Sequence, residues 1–430
     1  MKLWKDIDVS RDKILGSLTT SQEFTSNLSL RNRKAIIWQY VFRASTVIGI
    51  IFLTLLLIKI TNDSFGYIAI EFEKNPETLS VNGVPLDKLP QEEYIRILEE
   101  NLTKGRLRTL NKEKPLNERS PSELYDLVIE EVVEPKISKT WNLYYSLFHK
   151  NEIENYVKDN LPDSELEFRS WFNKLFITSP QSSDALYAGI RTAILGSLWI
   201  ISIAMLVAFP MGIGAAIYLE EYAKGKESLI NRIIQVNINN LAGVPSIIYG
   251  ILGLAVFVRA LEPLTSGSMF GAIDPTTANG RTIFAAGLTM ALLILPVIII
   301  NAQEAIKAVP NSLREASYGL GGTKWQTVWH HVLPNAIPGI LTGTILAMSR
   351  VIGETAPLIV IGASTYIIYD PTGIFSKFTT LPIQIYQWTS RPQAEFRNIA
   401  AAAIITLLII LLSVNALAIF LRNRYSGRLS

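Results

Sequence analysis

The chain has 430 residues, of which 49% are hydrophobic and 18% are charged, with a formal net charge of +3. Soluble domains carry about 25% charged residues, whereas several stretches of about twenty residues in this chain are almost free of charge. This composition excludes an intrinsically disordered chain and argues against a purely soluble enzyme. The absence of cysteine excludes disulfides, thiolate metal sites, iron–sulfur clusters and cysteine nucleophiles, and three histidines leave little for a histidine metal site.

Residues 1–40 are polar and basic, and they lack the small-residue cleavage site that ends a secretory signal. The apolar stretch 41–60 follows, with Arg43 and Lys59 near its ends, where their charges can reach the membrane interface. We therefore predict a cytoplasmic N-terminal segment at 1–40 and an uncleaved first transmembrane helix at 41–60.

The block 61–186 is acidic, with 23 Asp and Glu against 15 Lys and Arg, whereas the rest of the chain has 14 acids and 25 bases. Tyr67–Glu73 alternates like a strand, Asn82-Gly83 is a turn signal, and Gln91–Leu102 has the apolar spacing of a helix. Because about 125 residues can bury a modest core, we predict a small extracytoplasmic α+β insert domain. Its role stays open.

Five further apolar stretches are long enough to cross a bilayer, at 187–219, 241–258, 282–301, 339–361 and 399–421. Six spans place both termini on one side, and the positive-inside rule identifies that side. The loops on it carry 16 Lys and Arg, against five in the two short loops opposite. We predict an all-α polytopic membrane protein with a five-helix core at 187–421, and a tail at 422–430 that lies in the cytoplasm with the N-terminus.

The cytoplasmic loop 302–337 has the most specific pattern in the chain. A short helix should be ended by the glycines at 319–322, and a second helix should cover Thr323–Val332 until Pro334 closes it. Glycine permits a positive φ in such a turn. A short amphipathic helical hairpin outside the membrane suits docking in a groove of another protein.

This loop resembles the EAA loop of ABC-importer permeases, in which Glu-Ala-Ala is followed by a glycine and then by an apolar residue, Leu and Pro at fixed distances. The matching residues are Glu315, Ala316, Gly321, Leu333 and Pro334. Ser317 replaces the second alanine, and His331 occupies a position that is usually aliphatic, which makes the apolar packing of that helix less certain. The resemblance implies that these residues couple the chain to an ATPase, with Gly321 at the docking turn.

Two more segments, at 240–254 and 349–363, resemble the PstA-type permeases of the phosphate ABC importer. The resemblance implies the ABC-importer permease fold in the cell inner (plasma) membrane. It also implies a PstC-type permease partner, a PstB-type ATPase dimer that uses ATP and Mg, and an extracytoplasmic phosphate-binding protein. The chain itself would bind no cofactor and no nucleic acid, and would contact membrane lipid. The large block 61–186 departs from typical members.

The function implied by the resemblance is import of inorganic phosphate, with this chain forming half of the translocation pathway; a permease for another oxyanion or small solute is the alternative. No Walker A pattern occurs, since Gly321-Gly322-Thr323-Lys324 has the wrong order, so the chain cannot hydrolyse ATP itself. A membrane sensor would also have a large outer block between two spans. The four later spans, and the lack of a long cytoplasmic signalling domain, argue against that class.

Arg350 and Glu354 place two charges in the predicted fifth span. Together they cost roughly +5 to +7 kcal/mol on insertion scales, whereas the aliphatic residues of that span return about −3 to −6 kcal/mol. The span should therefore face a polar interior or a partner helix, and the i, i+4 spacing lets the two side chains pair. One interpretation is a static ion pair. The other is that Arg350, with Glu354 and Thr355, lines the substrate pathway, because a guanidinium donates two parallel hydrogen bonds to phosphate.

Overall fold

A computed structural model describes residues 28–81, 84–223, 229–271, 280–363 and 366–426. The predicted turn at Asn82-Gly83 lies outside these residues, as do most of the N-terminal segment and the last four residues of the tail. The chain divides into two compact units, at 1–59 and 60–430.

The first unit consists of most of one long helix, α1, which covers Leu28–Asp63. Its apolar side chains are exposed along its length, including Phe52 and Ile58. The helix predicted at 41–60 is confirmed and continues past both predicted ends. A helix that exposes apolar residues on every side is suited to a lipid environment.

The second unit begins with a region built on a three-stranded antiparallel sheet. Strand β1 (Phe65–Phe72) lies between β2 (Pro135–Thr140) and β3 (Ser164–Ser170), with Ile70 opposite Ile137 on one side and Glu165 on the other. The strand predicted at Tyr67–Glu73 is confirmed within two residues at each end.

Six α-helices lie in the same part of the chain as this sheet: α2 (Gln91–Asn101), α3 (Lys104–Glu113), α4 (Pro121–Val128), α5 (Leu143–Phe148), α6 (Lys150–Asn160) and α7 (Lys174–Thr178). The helix predicted at Gln91–Leu102 corresponds to α2. Tyr94 and Leu98 of α2 pack on Leu124 and Val128 of α4 in one buried cluster. Ser120 and Glu123 form a capping box at the start of α4.

The rest of the second unit is helical: α8 (Arg191–Ile217), α9 (Leu229–Ala242), α10 (Ser246–Gly253), α11 (Glu262–Thr265), α12 (Ile283–Lys307), α13 (Asn311–Gly319), α14 (Lys324–Thr327), α15 (Leu333–Gly353), α16 (Ala356–Ile361), α17 (Leu381–Thr389) and α18 (Ala394–Ser426). Helices α8 and α12 pack closely at the centre. A Cβ on Gly212 would lie 2.6 Å from Ile298 Cγ2, and one on Gly287 would lie 2.5 Å from Ile203 Cγ2. Small residues allow this approach between apolar helices.

Five helices of the described residues are long and apolar enough to cross a membrane, or six if one bent pair counts as a single span. The bent pair is α9 and α10, which meet at an angle of 106°. The span predicted at 241–258 is helical from Ser246 onward, and the bend falls near its predicted start. Pro245 lies at the bend, where its ring fixes φ and disfavours helical geometry in the residue before it.

Two predictions about helix ends are wrong. Pro334 does not close the second helix of the 302–337 loop, because the helix runs unbroken from Lys324 to Gly353. Pro334 lies in the first turn of α15, directly after a wider π-helical turn at Val328–Val332, where an irregular hydrogen-bond pattern already exists. The span predicted at 339–361 is instead broken between α15 and α16.

Candidate functional site

The break between α15 and α16 contains two of the predicted pathway residues. Glu354 has an extended backbone (φ −76°, ψ 131°), and Thr355 begins α16. Glu354 is therefore not on the helix that carries Arg350, contrary to the predicted common helical face. The two charges still pair, with 3.2 Å between Arg350 Nε and Glu354 Oε1.

The surroundings of this pair differ on its two sides. The carboxylate side chain of Glu354 is 18% exposed, and it borders a cavity of about 10 Å³ between α8 and the break, with room for at most one water molecule. The guanidinium side chain of Arg350 is 37% exposed. The cavity is therefore too small for an anion the size of phosphate, and Arg350 is the more exposed member of the pair.

Close contacts hold the break in place. A Cβ on Gly250 of α10 would lie 2.6 Å from the Cα of Pro357, so α16 packs directly on the α10 backbone. Ser349 Oγ donates a hydrogen bond of 2.9 Å to Asn415 Oδ1 of α18. The break is thus fixed by neighbours on both sides, which suits a site of defined geometry.

Two arginines at the starts of long helices have specific environments. Arg191 forms a 2.8 Å ion pair with Asp370 and donates to the backbone oxygen of Thr178. The Arg281 side chain packs against Gly362, where a Cβ would lie 2.5 Å from Arg281 Cδ and where φ is +105°. The charge of Arg191 is therefore paired within the chain.

The 302–337 loop forms the predicted hairpin. Helix α13 ends at Gly319, Gly321 has φ +80°, and α14 follows. The hydroxyls of Ser317 and Thr327 are buried and lie 2.8 Å apart, which joins the two helices. The serine that departs from the EAA pattern thus makes the main polar contact across the hairpin.

One side of the hairpin is open to solvent and strongly apolar. Leu320 is 91% exposed, and the rings of Trp325 and Trp329 stack with their centroids 5.5 Å apart. Glu315 and Ala316 are exposed as well. We call the exposed set Glu315, Ala316, Leu320, Gly321, Trp325 and Trp329 the hairpin surface.

The other motif residues do not belong to this surface. Leu333 and Pro334 lie in the first turn of α15, and Leu333 packs against a buried cluster at the ends of α8, α12 and α15. His331 is exposed, and its neighbours Val328 and Val332 supply the buried contacts of that helix instead. The polar substitution at 331 therefore leaves the packing intact.

A buried ion pair that the sequence analysis missed attaches the hairpin to the membrane helices. Arg314 Nη2 lies 2.7 Å from Glu221 Oε1, and the two side chains are only 13% and 5% exposed. Arg314 also donates to the backbone oxygens of Ile306 and Val309 at the end of α12. One guanidinium thus holds together the end of α12, the start of α13 and the π-helical turn that extends α8 at Tyr218–Tyr222.

Neighbouring polar groups extend this cluster. Glu220 accepts a 3.2 Å hydrogen bond from Gln303 and lies 3.4 Å from Lys307 Nζ, and Gln303 also donates to Gln235 of α9. The signal for this cluster in the sequence was the adjacent pair Glu220 and Glu221 at the end of a predicted span, because charges there are costly unless they are paired.

Comparison with known families identifies the membrane core. Residues 208–427 match the family described as binding-protein-dependent transport system inner membrane component. The chain belongs to this family. It is 37% identical over 236 residues to phosphate transport system permease protein PstA 1 of Mycobacterium tuberculosis, covering 54% of this chain and 70% of that protein.

One further relative is named as a PstA permease and another as an ABC transporter permease. Phosphate transport system permease protein PstA of Yersinia pestis is 33% identical, covering 55% of this chain and 74% of that protein. Probable ABC transporter permease protein YqgI of Bacillus subtilis is 31% identical, covering 56% of this chain and 81% of that protein. The permease is thus a multi-pass inner-membrane protein of the PstA type, and the sheet region lies outside the family match.

Permeases of this family are not catalytic themselves, and the match gives no enzymatic domain. Among the residues that the structure describes, no group of three or more His, Asp or Glu side chains could hold a metal ion.

Proposed function

We propose that this permease is a transmembrane subunit of an ATP-driven importer of inorganic phosphate. It forms half of the translocation pathway together with a PstC-type permease and docks to a PstB-type ATPase dimer through its hairpin surface. An extracytoplasmic phosphate-binding protein delivers the anion, both termini lie in the cytoplasm, and block 61–186 lies outside. The observation that carries the proposal is the exposed apolar hairpin surface on an EAA-type loop.

The composition of the hairpin surface supports docking. Fully burying a leucine side chain contributes about 1.5–3 kcal/mol. Because Leu320 is almost fully exposed in the lone subunit, burial in an interface would contribute nearly all of this free energy. Tryptophan is enriched among the residues that dominate protein interfaces, and Trp325 and Trp329 are already stacked in one orientation. Solvation of these three side chains in a lone subunit is unfavourable, whereas a groove on the ATPase would cover them.

The buried ion pair supports transmission of movement from the hairpin. Arg314 is part of α13, and it contacts the end of α12 and Glu221 next to α8. A displacement of the hairpin must therefore carry the inner ends of α8 and α12 with it. Helices α8 and α12 are closely packed along their length, so they would move as one body. ATP binding and hydrolysis in the partner would thereby shift the membrane core.

Phosphate as the solute rests on two relatives that are named as phosphate permeases and on the position of Arg350. A guanidinium suits an oxyanion. Glu354 would pair with Arg350 when no anion is present, and would compete with the anion for Arg350 during release. Thr355 adds a hydroxyl at the same break. The static ion pair remains the competing interpretation.

Replacing Arg350 with glutamine separates these interpretations. In cells that express all partner subunits, we expect loss of labelled phosphate uptake while the complex still assembles. Arg191→Gln is a matched control, because that arginine pairs with Asp370 at the outer edge. Full uptake by Arg350→Gln would contradict a pathway role.

Docking is tested with Gly321→Glu, which places a charge and an unfavourable positive φ at the tip of the hairpin surface. We expect the variant to reach the membrane but to lose ATPase association and uptake. Gly319→Glu is the control, because Gly319 is exposed, lacks a positive φ and has open space at its Cβ position. Retained ATPase binding by Gly321→Glu would refute docking through this turn.

Another oxyanion or small solute is the second candidate, since YqgI is named only as a probable ABC transporter permease. Uptake of labelled phosphate, sulfate and molybdate by the same complex distinguishes the solutes. Preferential uptake of sulfate or molybdate would leave the docking proposal intact and replace only the solute.

A further inference from the structure

Helix α5 (Leu143–Phe148) exposes an apolar face that the permease function does not use. Tyr144, Leu147 and Phe148 are 58%, 63% and 71% exposed. Their i, i+3 and i+4 spacing places them on one side of the helix, and the rings of Tyr144 and Phe148 touch with centroids 5.1 Å apart. Ser146, on the opposite side, is buried and accepts a hydrogen bond from the backbone of Tyr67 in β1.

Three hydrogen bonds fix the position of this helix relative to α18. The backbone N–H of Tyr144 donates a 2.7 Å hydrogen bond to Asn62, in the last turn of α1. The next residue, Asp63, accepts 2.7 Å from the side chain of Asn398 in α18. Thr140, three residues before α5, donates to the same Asn398.

Asn398 directly precedes the long apolar part of α18, which has the length and composition of a membrane span. Helix α5 therefore lies beside the residues at which a spanning helix enters the bilayer. Phenolic and other aromatic rings are favoured at that depth, because one end of the ring is solvated and the rest is in contact with lipid. Lys150, at the start of α6, is exposed, and its ammonium lies 3.5 Å from the Glu154 carboxylate.

We propose that α5 is an interfacial anchor, with Tyr144, Leu147 and Phe148 inserted among the lipid headgroups at the membrane surface where α18 begins. The helix is too short to bind a membrane alone, but the hydrogen bond from Tyr144 to Asn62 already holds it at that surface. Insertion would fix the sheet region close to the bilayer. The proposal depends on the membrane position of α18 and not on the identity of the solute.

The absence of cysteine from the chain allows a direct test. Phe148→Cys and Leu147→Cys are labelled with an environment-sensitive fluorophore in the full chain, assembled with its partner subunits in nanodiscs that contain lipids spin-labelled near the headgroup. Arg108→Cys on the polar helix α3 is the matched control, since it is also exposed. Because both anchor positions are more than half exposed, labelling should not disturb the core.

We expect lipid quenching at 147 and 148 to exceed that at 108 by about twofold or more, with reduced quenching by iodide in the water. Equal lipid quenching at all three positions would overturn the proposal. Protection of 147 and 148 from both lipid and water quenchers would overturn it in favour of a protein partner on this face. Phosphate uptake is irrelevant to either outcome, so failure here leaves the proposed transport function unaffected.

Discussion

Replacing Arg314 with methionine should uncouple the hairpin from the membrane helices. The substitution removes both Arg314 hydrogen bonds to Glu221 and those to the backbone oxygens of Ile306 and Val309. It leaves the Glu221 carboxylate, 5% exposed, without its partner. Breaking a buried pair on one side costs about 3–5 kcal/mol, mostly because an uncompensated charge stays buried.

A double variant removes the Glu221 charge as well. Glu221→Leu combined with Arg314→Met eliminates the unpaired carboxylate, and replacement of a buried pair by apolar residues is often nearly neutral. We expect the double variant to recover most of the lost stability, except for the contribution of the two backbone oxygens. The double variant still lacks the Arg314–Glu221 contact between the hairpin and α8, so transport should remain impaired.

Two measurements on the reconstituted complex separate stability from coupling. Thermal unfolding of the purified variants should show a large decrease for Arg314→Met and a much smaller one for the double variant. Phosphate uptake per ATP hydrolysed should be low in both. If the double variant recovers stability and also transports at the normal ratio, the ion pair is only structural and the coupling argument is wrong.

Three further sets of variants test local features of the hairpin and of the segment before α8. Gly321→Ala should lower stability by about 1–2 kcal/mol because φ is +80°, whereas Gly319→Ala should be neutral or stabilising; equal melting temperatures would contradict this. Ser317→Ala and Thr327→Val should each cost about 1–3 kcal/mol, and the double variant should cost less than their sum; strict additivity in thermal unfolding would refute the buried hydroxyl pair. Burial raises the pKa of the Asp184 carboxyl above 3.8, so the folded state holds that proton more tightly and stability falls as pH rises through the raised pKa. Asp184→Asn should therefore raise the melting temperature more at pH 7 than at pH 4, and an equal gain at both would contradict the assignment.

Features that depend on the local sequence were predictable. The strand around Ile68 and Ile70 follows from alternation, and α2 and the long helices α8, α12 and α18 follow from apolar residues at the right length and spacing. The turn at Gly321 follows from the same kind of reasoning, because three glycines after a short helix indicate a residue with positive φ.

Features that depend on contacts between distant segments were not predictable from a single sequence. Proline is a local signal for a helix end, yet Pro334 lies inside a continuous helix because a π-helical turn precedes it and the tertiary core holds α15. Conversely, the helix breaks between Gly353 and Thr355, where Pro357 cannot donate a backbone hydrogen bond to the residue four positions before it. The broken helix is stabilised by α10, whose Gly250 packs on Pro357 more than one hundred positions later in the chain.

The two ion pairs also differ in how far they could be predicted from the sequence. Arg350 and Glu354 are four positions apart, so their pairing was predictable even though the helix between them ends. Arg314 and Glu221 are 93 positions apart, and each has an ordinary local explanation as a basic loop residue or an acid at the end of a span. Only the fold shows that the cost of burying Glu221 is offset by a guanidinium that also binds the end of α12. A residue adjacent to the recognised motif, and not a residue within it, therefore makes the strongest connection between hairpin and membrane core.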